Sequence, residues 1–254
     1  MSVRRTTSRK RTCPAGVECA ADAIRIVQMD RPGGGRVRTA ARIPIDPNCG
    51  TVDPGELRRM VRHISGRRCV VSPPRQLVVV RPARLPRLAD AEFREAVHWE
   101  AAEMLGCTAE ELVTEPLVVT RDFEEDGRLD VLVVASSVVS IEQTLEPLMA
   151  AGLLPIAVEP SFLAAGRAWS ARSRRKADVP IVRAVVEVGS DASSMVVMAG
   201  DQAVFAKTIE VGGADFDQAV SGRLGMEADV ARALRRDAVA GRVDDTLARP
   251  LQDA

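Results

Sequence analysis

The sequence predicts a mixed α/β fold with two related lobes and a smaller subdomain inserted into the first lobe. Residues 15–72 follow the order strand, strand, strand, helix, strand, and residues 181–238 repeat the three strands and the helix. The intervening residues 75–152 follow a different order, strand, helix, strand, strand, helix, which is typical of a two-layer α/β module. The repeated order indicates two related lobes, and the different order of residues 75–152 indicates an insertion into the first of them.

The composition is that of a globular protein without a strong overall charge. The chain has 254 residues, 46% of them hydrophobic, and its 35 basic and 35 acidic residues give a formal net charge of zero at pH 7. With only 3% aromatic residues and no excess of positive charge, a nucleic-acid binder is disfavoured. No apolar stretch approaches the ~18 residues that a membrane-spanning helix needs. Five scattered cysteines without a Cys-x-x-Cys pair favour reduced thiols in the cytoplasm over disulfides or a zinc site.

Three segments predict the first four strands of the first lobe. Residues 15–29 contain the first two strands, and residues 37–45 and 69–72 contain one each. Apolar and polar residues alternate in the first two segments, and the third is short and mostly apolar. Before the third segment, Asp53 can cap a helix and Pro54 suits its first turn. This helix has one apolar face, formed by Leu57, Met60, Val61 and Ile64.

The inserted subdomain contains two predicted helices around a hairpin. Asp90 is predicted to cap the first helix and Gly106 to end it. Strands over 116–123 and 129–135 flank an acidic turn with a glycine, which is typical of a hairpin, and a helix over 138–151 follows. The apolar stripe of the first helix consists of Phe93, Val97, Ala101 and Met104.

The second lobe opens with three closely spaced strands, predicted over 181–188, 194–198 and 203–210. A Gly-Gly pair at 212–213 ends the third strand. Two helices follow, the first of them marked by the apolar residues Phe216, Val220 and Leu224.

A polar and basic run over residues 169–178 predicts a linker and a domain boundary before the second lobe. The predicted parts are a basic disordered tail over 1–14, the first lobe over 15–74 and 153–169, the inserted subdomain over 75–152, a linker over 170–180, a partial second lobe over 181–240 and a polar tail over 241–254.

The turn between the first two strands of each lobe is a candidate phosphate site, because backbone amides exposed in a turn can hold an anion. Residues 18–23 are termed the first turn, and residues 187–194 the second turn. In the second turn Gly189 allows close approach of a ligand, Ser190 offers a hydroxyl and Glu187 can hold a magnesium-bound water. An ordinary polar hairpin turn explains the same residues, so both interpretations stay open.

The first turn suits a phosphate less well than the second. Ala20 stands where a flexible glycine would be expected, and Asp22 places negative charge where the phosphate would lie. Arg25 on the next strand can offset part of that charge, although it also suits an exposed strand position.

Several segments resemble the type IV pilus assembly protein PilM family, whose members are actin-like relatives of the cell-division protein FtsA. The most specific segment is Leu85-Pro86, followed by Ala-Glu-Phe-Arg-Glu-Ala-Val-His-Trp-Glu-Ala at residues 91–101. Residues 212–217 are separately similar to a nucleotide-contacting segment of seventy-kilodalton heat-shock chaperones. The resemblance extends from about residue 15 to residue 238, with further matches at 130–135, 151–153, 158–160, 162–168, 185–189, 209–213 and 224–234.

The resemblance implies an actin-like, ribonuclease H-like fold that binds ATP with Mg²⁺ in the cleft between its lobes. Glu187 is the candidate catalytic residue, and Glu18 and Glu187 are the candidates for holding the metal through water. The implied nucleotide-binding residues are Ala20, Ala21, Arg25, Gly189, Ser190, Gly212 and Gly213.

Three departures from the family pattern lead us to expect weak or lost ATP hydrolysis. The first turn reads Glu-Cys-Ala-Ala in place of Asp-Ile-Gly-Ser/Thr, and Glu187 replaces an aspartate whose shorter side chain would position a water differently. The family continues beyond the Gly-Gly and the two helices to a glycine-rich adenosine motif, so the second lobe is expected to be incomplete and the chain shortened at its C-terminus. Enzymatic activity therefore stays uncertain, with a non-enzymatic role favoured.

The resemblance also implies a cytoplasmic scaffold, peripheral at the inner membrane, that binds the cytoplasmic N-terminal segment of a PilN-like membrane protein. Contact with the membrane would be indirect, through this partner, and the oligomeric state stays open, with a homo-oligomer as one option. The alternatives on the same fold are an active ATPase, an FtsA-like filament former and a cytoplasmic component of a type II secretion platform. The candidate partner-binding residues are Phe93, Val97, Trp99, Leu117 and Val119.

Overall fold

The computed structural model describes residues 12–32, 35–45, 50–119, 127–170, 181–240 and 242. The chain forms two compact units, of which unit 1 consists of Met1–Pro74 and Val138–Pro160, and unit 2 of Arg75–Ser137 and Ser161–Ala254. Most of the predicted N-terminal tail, the tip of the predicted hairpin, nearly all of the predicted linker and nearly all of the C-terminal tail lie outside the described residues.

The described residues contain every strand and helix that the sequence predicts, with ends that differ by a few residues. In chain order they are β1 (Ala15–Cys19), β2 (Ala23–Met29), β3 (Val37–Pro44), α1 (Pro54–Val61), β4 (Arg68–Ser72), β5 (Val79–Pro86), α2 (Asp90–Leu105), β6 (Leu112–Val118), β7 (Arg128–Ser137), α3 (Val138–Ala150), β8 (Leu154–Val158), α4 (Ser161–Ser170), β9 (Val182–Val188), β10 (Ser193–Ala199), β11 (Gln202–Ile209), α5 (Gly213–Leu224) and α6 (Ala228–Val239).

Unit 1 is built on a five-stranded mixed sheet with the order β3-β2-β1-β4-β8. Strand β1 pairs antiparallel with β2 and parallel with β4, and β8 extends the parallel part beside β4. Helices α1 and α3 contribute Leu57 and Leu148 to the core, and these side chains are 1% and 0% exposed. The sheet residues of this core are Ala15, Val17, Cys19, Ile24, Ile26, Ile43, Cys69 and Val71.

Helix α1 begins as the sequence predicts. The Asp53 carboxylate accepts a hydrogen bond from the Gly55 amide at 2.8 Å, and Pro54 occupies the first helical position. The cap satisfies an amide that has no partner inside the helix. Proline lacks an amide hydrogen, but at the first helical position that hydrogen would have no acceptor within the helix. Local sequence alone therefore fixes where α1 starts.

A buried glutamine ties the loop after α1 to strand β2. The Gln28 side chain donates from Nε2 to the carbonyl oxygens of Cys13 and Ser65 at 2.8 and 2.9 Å, and its Oε1 accepts from the Ser65 amide at 2.8 Å. Because the amide group is paired on both sides, its burial carries little penalty.

The described cysteines are free thiols, as the sequence predicts.

Strand β7 is the centre of unit 2 and is buried on both faces. It pairs antiparallel with both neighbours in a three-stranded sheet of order β5-β7-β6. Val131, Val133 and Ala135 pack in one cluster with helix α2, whereas Leu132 and Val134 pack with α4, β10 and β11. A strand covered on both faces requires a continuous apolar run, and residues 131–135 supply one.

The second sheet of unit 2 has the order β11-β10-β9 and is antiparallel throughout. Its inward face joins Phe162 of α4 and the subdomain strands in one core. Helix α5 ends at Gly225, whose φ of 63° lies in the left-handed region that favours glycine. The three strands and the first helix thus repeat the order of unit 1, as the sequence predicts.

Helix α2 differs from the prediction at its first residue. The N-cap is Ala89 and not Asp90, because the Phe93 amide donates to the Ala89 carbonyl at 2.8 Å and the first helical turn closes one residue earlier. Asp90 is the first residue of the helix and places its charge in the first turn, where the helix dipole favours it. Gly106 ends the helix with a φ of 67°, as predicted.

The inserted subdomain is shorter than the predicted 75–152. Leu148 lies in the core of unit 1, and Leu145 packs against the same core, so helix α3 belongs to unit 1 and the subdomain ends at Ser137. Helix α4, predicted as part of the first lobe, belongs to unit 2 because Phe162 is buried in the core of that unit. Amphipathic periodicity shows which face of a helix is buried but not which sheet covers it.

The core of the subdomain predicts a contrast between two neighbouring residues of α2. Val97 is 0% exposed and Trp99 is 58% exposed. We expect Val97→Ala to lower the free energy of unfolding by about 2 kcal/mol, because it leaves a cavity against β7. Trp99→Ala should change it much less. Urea unfolding followed by circular dichroism measures both, and equal losses would contradict the described packing of α2.

Candidate functional site

The first turn holds a cluster of two carboxylates and two guanidinium groups. Arg25 Nη2 donates to both carboxylate oxygens of Asp22 at 2.8 and 2.9 Å, and its Nη1 donates to Glu18 Oε2 at 3.3 Å. Arg42 Nη2 adds a further hydrogen bond to Asp22 at 2.8 Å. The structure therefore brings the predicted site residues Glu18 and Arg25 together, but pairs them with each other and with Asp22.

The protonation state of Asp22 follows from these contacts. Burial acts to raise the pKa of this carboxyl, but hydrogen bonds from Arg42 and Arg25 outweigh it and hold the pKa below its ordinary value. Burial acts to lower the pKa of Arg25, but the hydrogen bonds to Asp22 and Glu18 and the charges of these two carboxylates raise it. Both shifts favour the charged forms of Asp22 and Arg25.

The second turn is closed by its own backbone and by the start of α5. The Gly189 amide donates to the Ala192 carbonyl at 3.0 Å. The Gly213 and Ala214 amides, at the N-terminus of α5, donate to the carbonyls of Gly189 and Ser190 at 2.8 and 2.7 Å. The structure thus brings together the predicted nucleotide-binding residues Gly189, Ser190 and Gly213, and it uses three of the amides there for internal hydrogen bonds.

Gly212 shows why the Gly-Gly pair is required in this arrangement. A Cβ added at Gly212 would lie 2.6 Å from main-chain atoms of Asp191, which is closer than any side chain tolerates. The Gly212 amide also donates to Asp215 Oδ2 at 2.7 Å. The Gly-Gly segment therefore packs directly on the second turn.

Glu187, the predicted catalytic and metal-associated residue, forms an ion pair. Arg75 Nη2 lies 2.5 Å from Glu187 Oε1, and the Arg75 side chain is only 8% exposed. The Arg75 guanidinium also occupies the space that a Cβ at Gly189 would need. Sequence analysis did not identify Arg75, because one arginine among many gives no local signal of a distant partner.

The five predicted partner-binding residues do not form one surface. Phe93 and Val97 lie in the core between α2 and the subdomain sheet, while Trp99 is exposed on α2. Leu117 and Val119 pack at the opposite face of the sheet, against the core shared with α4 and the second sheet. Leu117 and Trp99 therefore belong to different sides of the subdomain.

An open groove of about 420 Å³ lies beside Leu117 within unit 2. Strand β6 forms one wall and is an edge strand of its sheet. The Gln202 side chain holds this wall by donating from Nε2 to the carbonyl oxygens of Val118 and of Val119, the latter at 2.8 Å. The groove is lined by Pro116, Leu117, Val118, Leu163, Arg167, Met198, Asp201, Gln202 and Ala203.

The sequence model of the type IV pilus assembly protein PilM family matches residues 16–246. This chain belongs to the PilM family. None of the curated proteins matches it. The predicted family is thereby confirmed. The chain is a PilM-like component of type IV pilus assembly, and it has the predicted actin-like α/β fold.

Solved structures share the fold of this PilM-family chain. The PilM–PilN type IV pilus biogenesis complex contains a chain with a TM-score of 0.75 and 23% identity, and the match covers 94% of this chain and 73% of that one. The cytoplasmic domain of EpsL, from the type II secretion system of Vibrio cholerae, gives a TM-score of 0.55 at 12% identity, with 84% and 76% covered. The ethanolamine utilization protein EutJ of Carboxydothermus hydrogenoformans gives 0.51 at 12%, with 94% and 66% covered.

Two further observations concern the described part of this PilM-family chain. It contains no group of three or more His, Cys, Asp or Glu side chains arranged to hold a metal ion. Its helices also include none that is both long and apolar enough to cross a bilayer.

Helices α5 and α6 of this PilM-family chain are joined by a buried ionic cluster that sequence analysis missed. The Asp217 carboxylate accepts from Arg235 Nε at 2.6 Å and from Arg232 Nε at 3.0 Å, and its side chain is 5% exposed. Arg235 Nη2 also donates to the Gly213 carbonyl at 3.3 Å. The cluster therefore fixes the Gly-Gly segment to α6.

The pKa of Asp217 makes this cluster testable by pH. Burial acts to raise the pKa, but the hydrogen bonds from Arg235 and Arg232 lower it below its ordinary value. A carboxyl with a lowered folded-state pKa stabilises the fold fully above its unfolded pKa of about 3.9. This stabilisation is lost as the pH falls through the folded-state pKa.

We expect Asp217→Asn to lower the free energy of unfolding at pH 7 by about 3 kcal/mol, because it leaves two guanidinium groups without their carboxylate. The variant should also lose less stability than the parent chain below about pH 4. Asp229→Asn is the matched control, because Asp229 is 93% exposed and contacts Arg232 at 3.4 Å. Denaturant unfolding between pH 3 and pH 7 measures the difference, and an Asp217→Asn variant that behaves like the control would contradict the cluster.

Proposed function

We propose that this PilM-family chain is a scaffold of the pilus assembly platform, or of a related secretion platform, with weak or lost ATP hydrolysis. It binds the cytoplasmic N-terminal segment of a PilN-like inner-membrane protein and thereby lies at the cytoplasmic face of the inner membrane. The main support for the proposal is the structural match to a chain of the PilM–PilN complex, which covers 94% of this chain. The paired charges of both turns support the reduced role of ATP.

The groove of unit 2 is the proposed binding site for this segment. Leu117, Leu163 and Met198 give it an apolar lining, and its volume of about 420 Å³ lies in the usual range of about 300–1,000 Å³ for ligand sites. Arg167 and Asp201 place opposite charges in the same groove. A short peptide that buries apolar side chains and meets these two charges fits this lining.

The edge of β6 favours recognition through side chains over addition of a strand. Pro116 lies within this edge strand and has no amide hydrogen to donate. The Gln202 side chain already occupies the carbonyl oxygens of Val118 and Val119. Main-chain pairing along this end of β6 is therefore limited, and the apolar side chains of the peptide supply most of the affinity.

The proposal predicts the effect of truncating one side chain in the groove. Leu117→Ala should weaken binding of a synthetic peptide with the N-terminal sequence of the cognate PilN-like protein about tenfold, because it removes part of an apolar contact worth about 1.5 kcal/mol. Val113→Ala is the matched control, because Val113 lies on the same strand, is 51% exposed and does not line the groove.

Isothermal titration of the full chain measures these affinities, and thermal unfolding verifies that both variants are folded. Absence of binding to the parent chain would contradict the proposed partner. Equal affinity of the parent and Leu117→Ala, with binding intact, would place the peptide elsewhere on the molecule.

A further inference from the structure

We propose that Arg75 is a built-in cation that takes the place of a magnesium ion at Glu187, so that the second turn is ordered without metal or nucleotide. The inference deepens the proposed scaffold function, because it names the residue that makes ATP dispensable. It rests on the contacts of Arg75, on the donors left around Glu187 and on the internal pairing of both turns.

The position of Arg75 is built by the local chain and by the second turn. Arg75 begins a short 3₁₀ helix, Arg75–Leu77, in which the Val78 amide donates to the Arg75 carbonyl at 3.2 Å. Its guanidinium lies 2.5 Å from Glu187 and against the Cα of Gly189, where no side chain would fit. Gly189 therefore provides room for a guanidinium of the same chain, in the place where a phosphate-binding turn would admit its ligand.

The charge at Glu187 decides against a divalent cation. Mg²⁺ holds its water shell beside a carboxylate whose negative charge is available to it. At Glu187 the guanidinium already neutralises this charge, and it would repel a second cation at the same carboxylate.

Two atoms beside this ion pair fit a water molecule better than a metal. Glu187 Oε2 and Ser194 Oγ are buried and have no hydrogen-bond partner among the described residues. Ser194 lies directly opposite Glu187 in the register of β9 and β10. One acceptor and one hydroxyl can share a single water, whereas Mg²⁺ requires several oxygen ligands in octahedral geometry.

Four of the amides at the second turn and at the start of α5 are also paired internally. Gly189, Gly213 and Ala214 donate to carbonyls, and Gly212 donates to Asp215. In the first turn, likewise, the anion that the arginines bind is the carboxylate of Asp22. Each turn thus satisfies its own charges, and the predicted ATP and Mg²⁺ do not fit these residues.

The test is thermal unfolding of the full chain with EDTA, with MgCl₂ and with Mg-ATP. We expect no shift of the parent midpoint between these conditions. Arg75→Gln should raise the unfolding equilibrium constant at least tenfold, because it leaves the Glu187 carboxylate without its cation, and the added substitution Glu187→Gln should reverse part of this change. Arg94→Gln is the matched control, because Arg94 pairs with Glu115 at 3.3 Å on the surface.

A parent midpoint that rises with Mg-ATP, or an Arg75→Gln variant that behaves like Arg94→Gln, would overturn the inference. If Arg75→Gln fails to fold, Arg75→Lys is measured in its place, because it retains the positive charge. The inference then requires that the unfolding midpoint of Arg75→Lys does not change with MgCl₂. Titration of the parent chain with the PilN-type peptide separates the two proposals. Peptide binding with a midpoint that responds to Mg-ATP contradicts only the built-in cation, whereas an insensitive midpoint without peptide binding contradicts only the scaffold function.

Discussion

The burial of strand β7 on both faces is the constraint on which unit 2 depends. One face of this strand packs on α2 and completes the core of the subdomain, and the other packs on α4, β10 and β11. The inserted subdomain and the second sheet therefore share a core, which places edge strand β6 beside the turn between β10 and β11. The groove follows from this arrangement, because the same packing brings Leu117 and Met198 into its lining. A charge placed in the middle of β7 would remove both the core and the groove.

Internal charge pairing distinguishes the two turns of this chain from binding sites that await a ligand. Arg25 and Arg42 meet Asp22 in the first turn, and Arg75 meets Glu187 in the second. The pairs of the first turn are partly exposed, whereas Arg75 is buried. In both turns the pairing neutralises charge that a phosphate or a metal ion would otherwise meet. In the proposal, the Asp22 carboxylate supplies the negative charge that a phosphate would bring, and the Arg75 guanidinium supplies the positive charge that a magnesium ion would bring. The proposed scaffold, which would bind its partner without a nucleotide cycle, is supported by these paired charges.

The sequence predicts the local features of this fold well and the long-range ones poorly. Alternating apolar residues give the strands, and Asp53, Pro54 and Gly106 mark helix ends through contacts within a few residues. Arg75 pairs with Glu187, which is far away in the sequence, and Asp217 of α5 pairs with Arg232 and Arg235 of α6. The periodicity of a strand or helix does not show which arginine will contact which carboxylate. The groove was likewise beyond prediction, because strand β6 and the turn after β10 meet only once β7 is buried. Leu117 was a candidate partner-binding residue in the sequence, and the structure shows that it lines the groove.

The most direct test of this account is a titration of the full chain with the PilN-type peptide, carried out with and without Mg-ATP at the same ionic strength. If the chain is a nucleotide-independent scaffold, the peptide binds with the same dissociation constant in both conditions. Coupling between a nucleotide site and a peptide site would change that constant by about fivefold or more. A change of that size, or binding that requires Mg-ATP, would contradict the account.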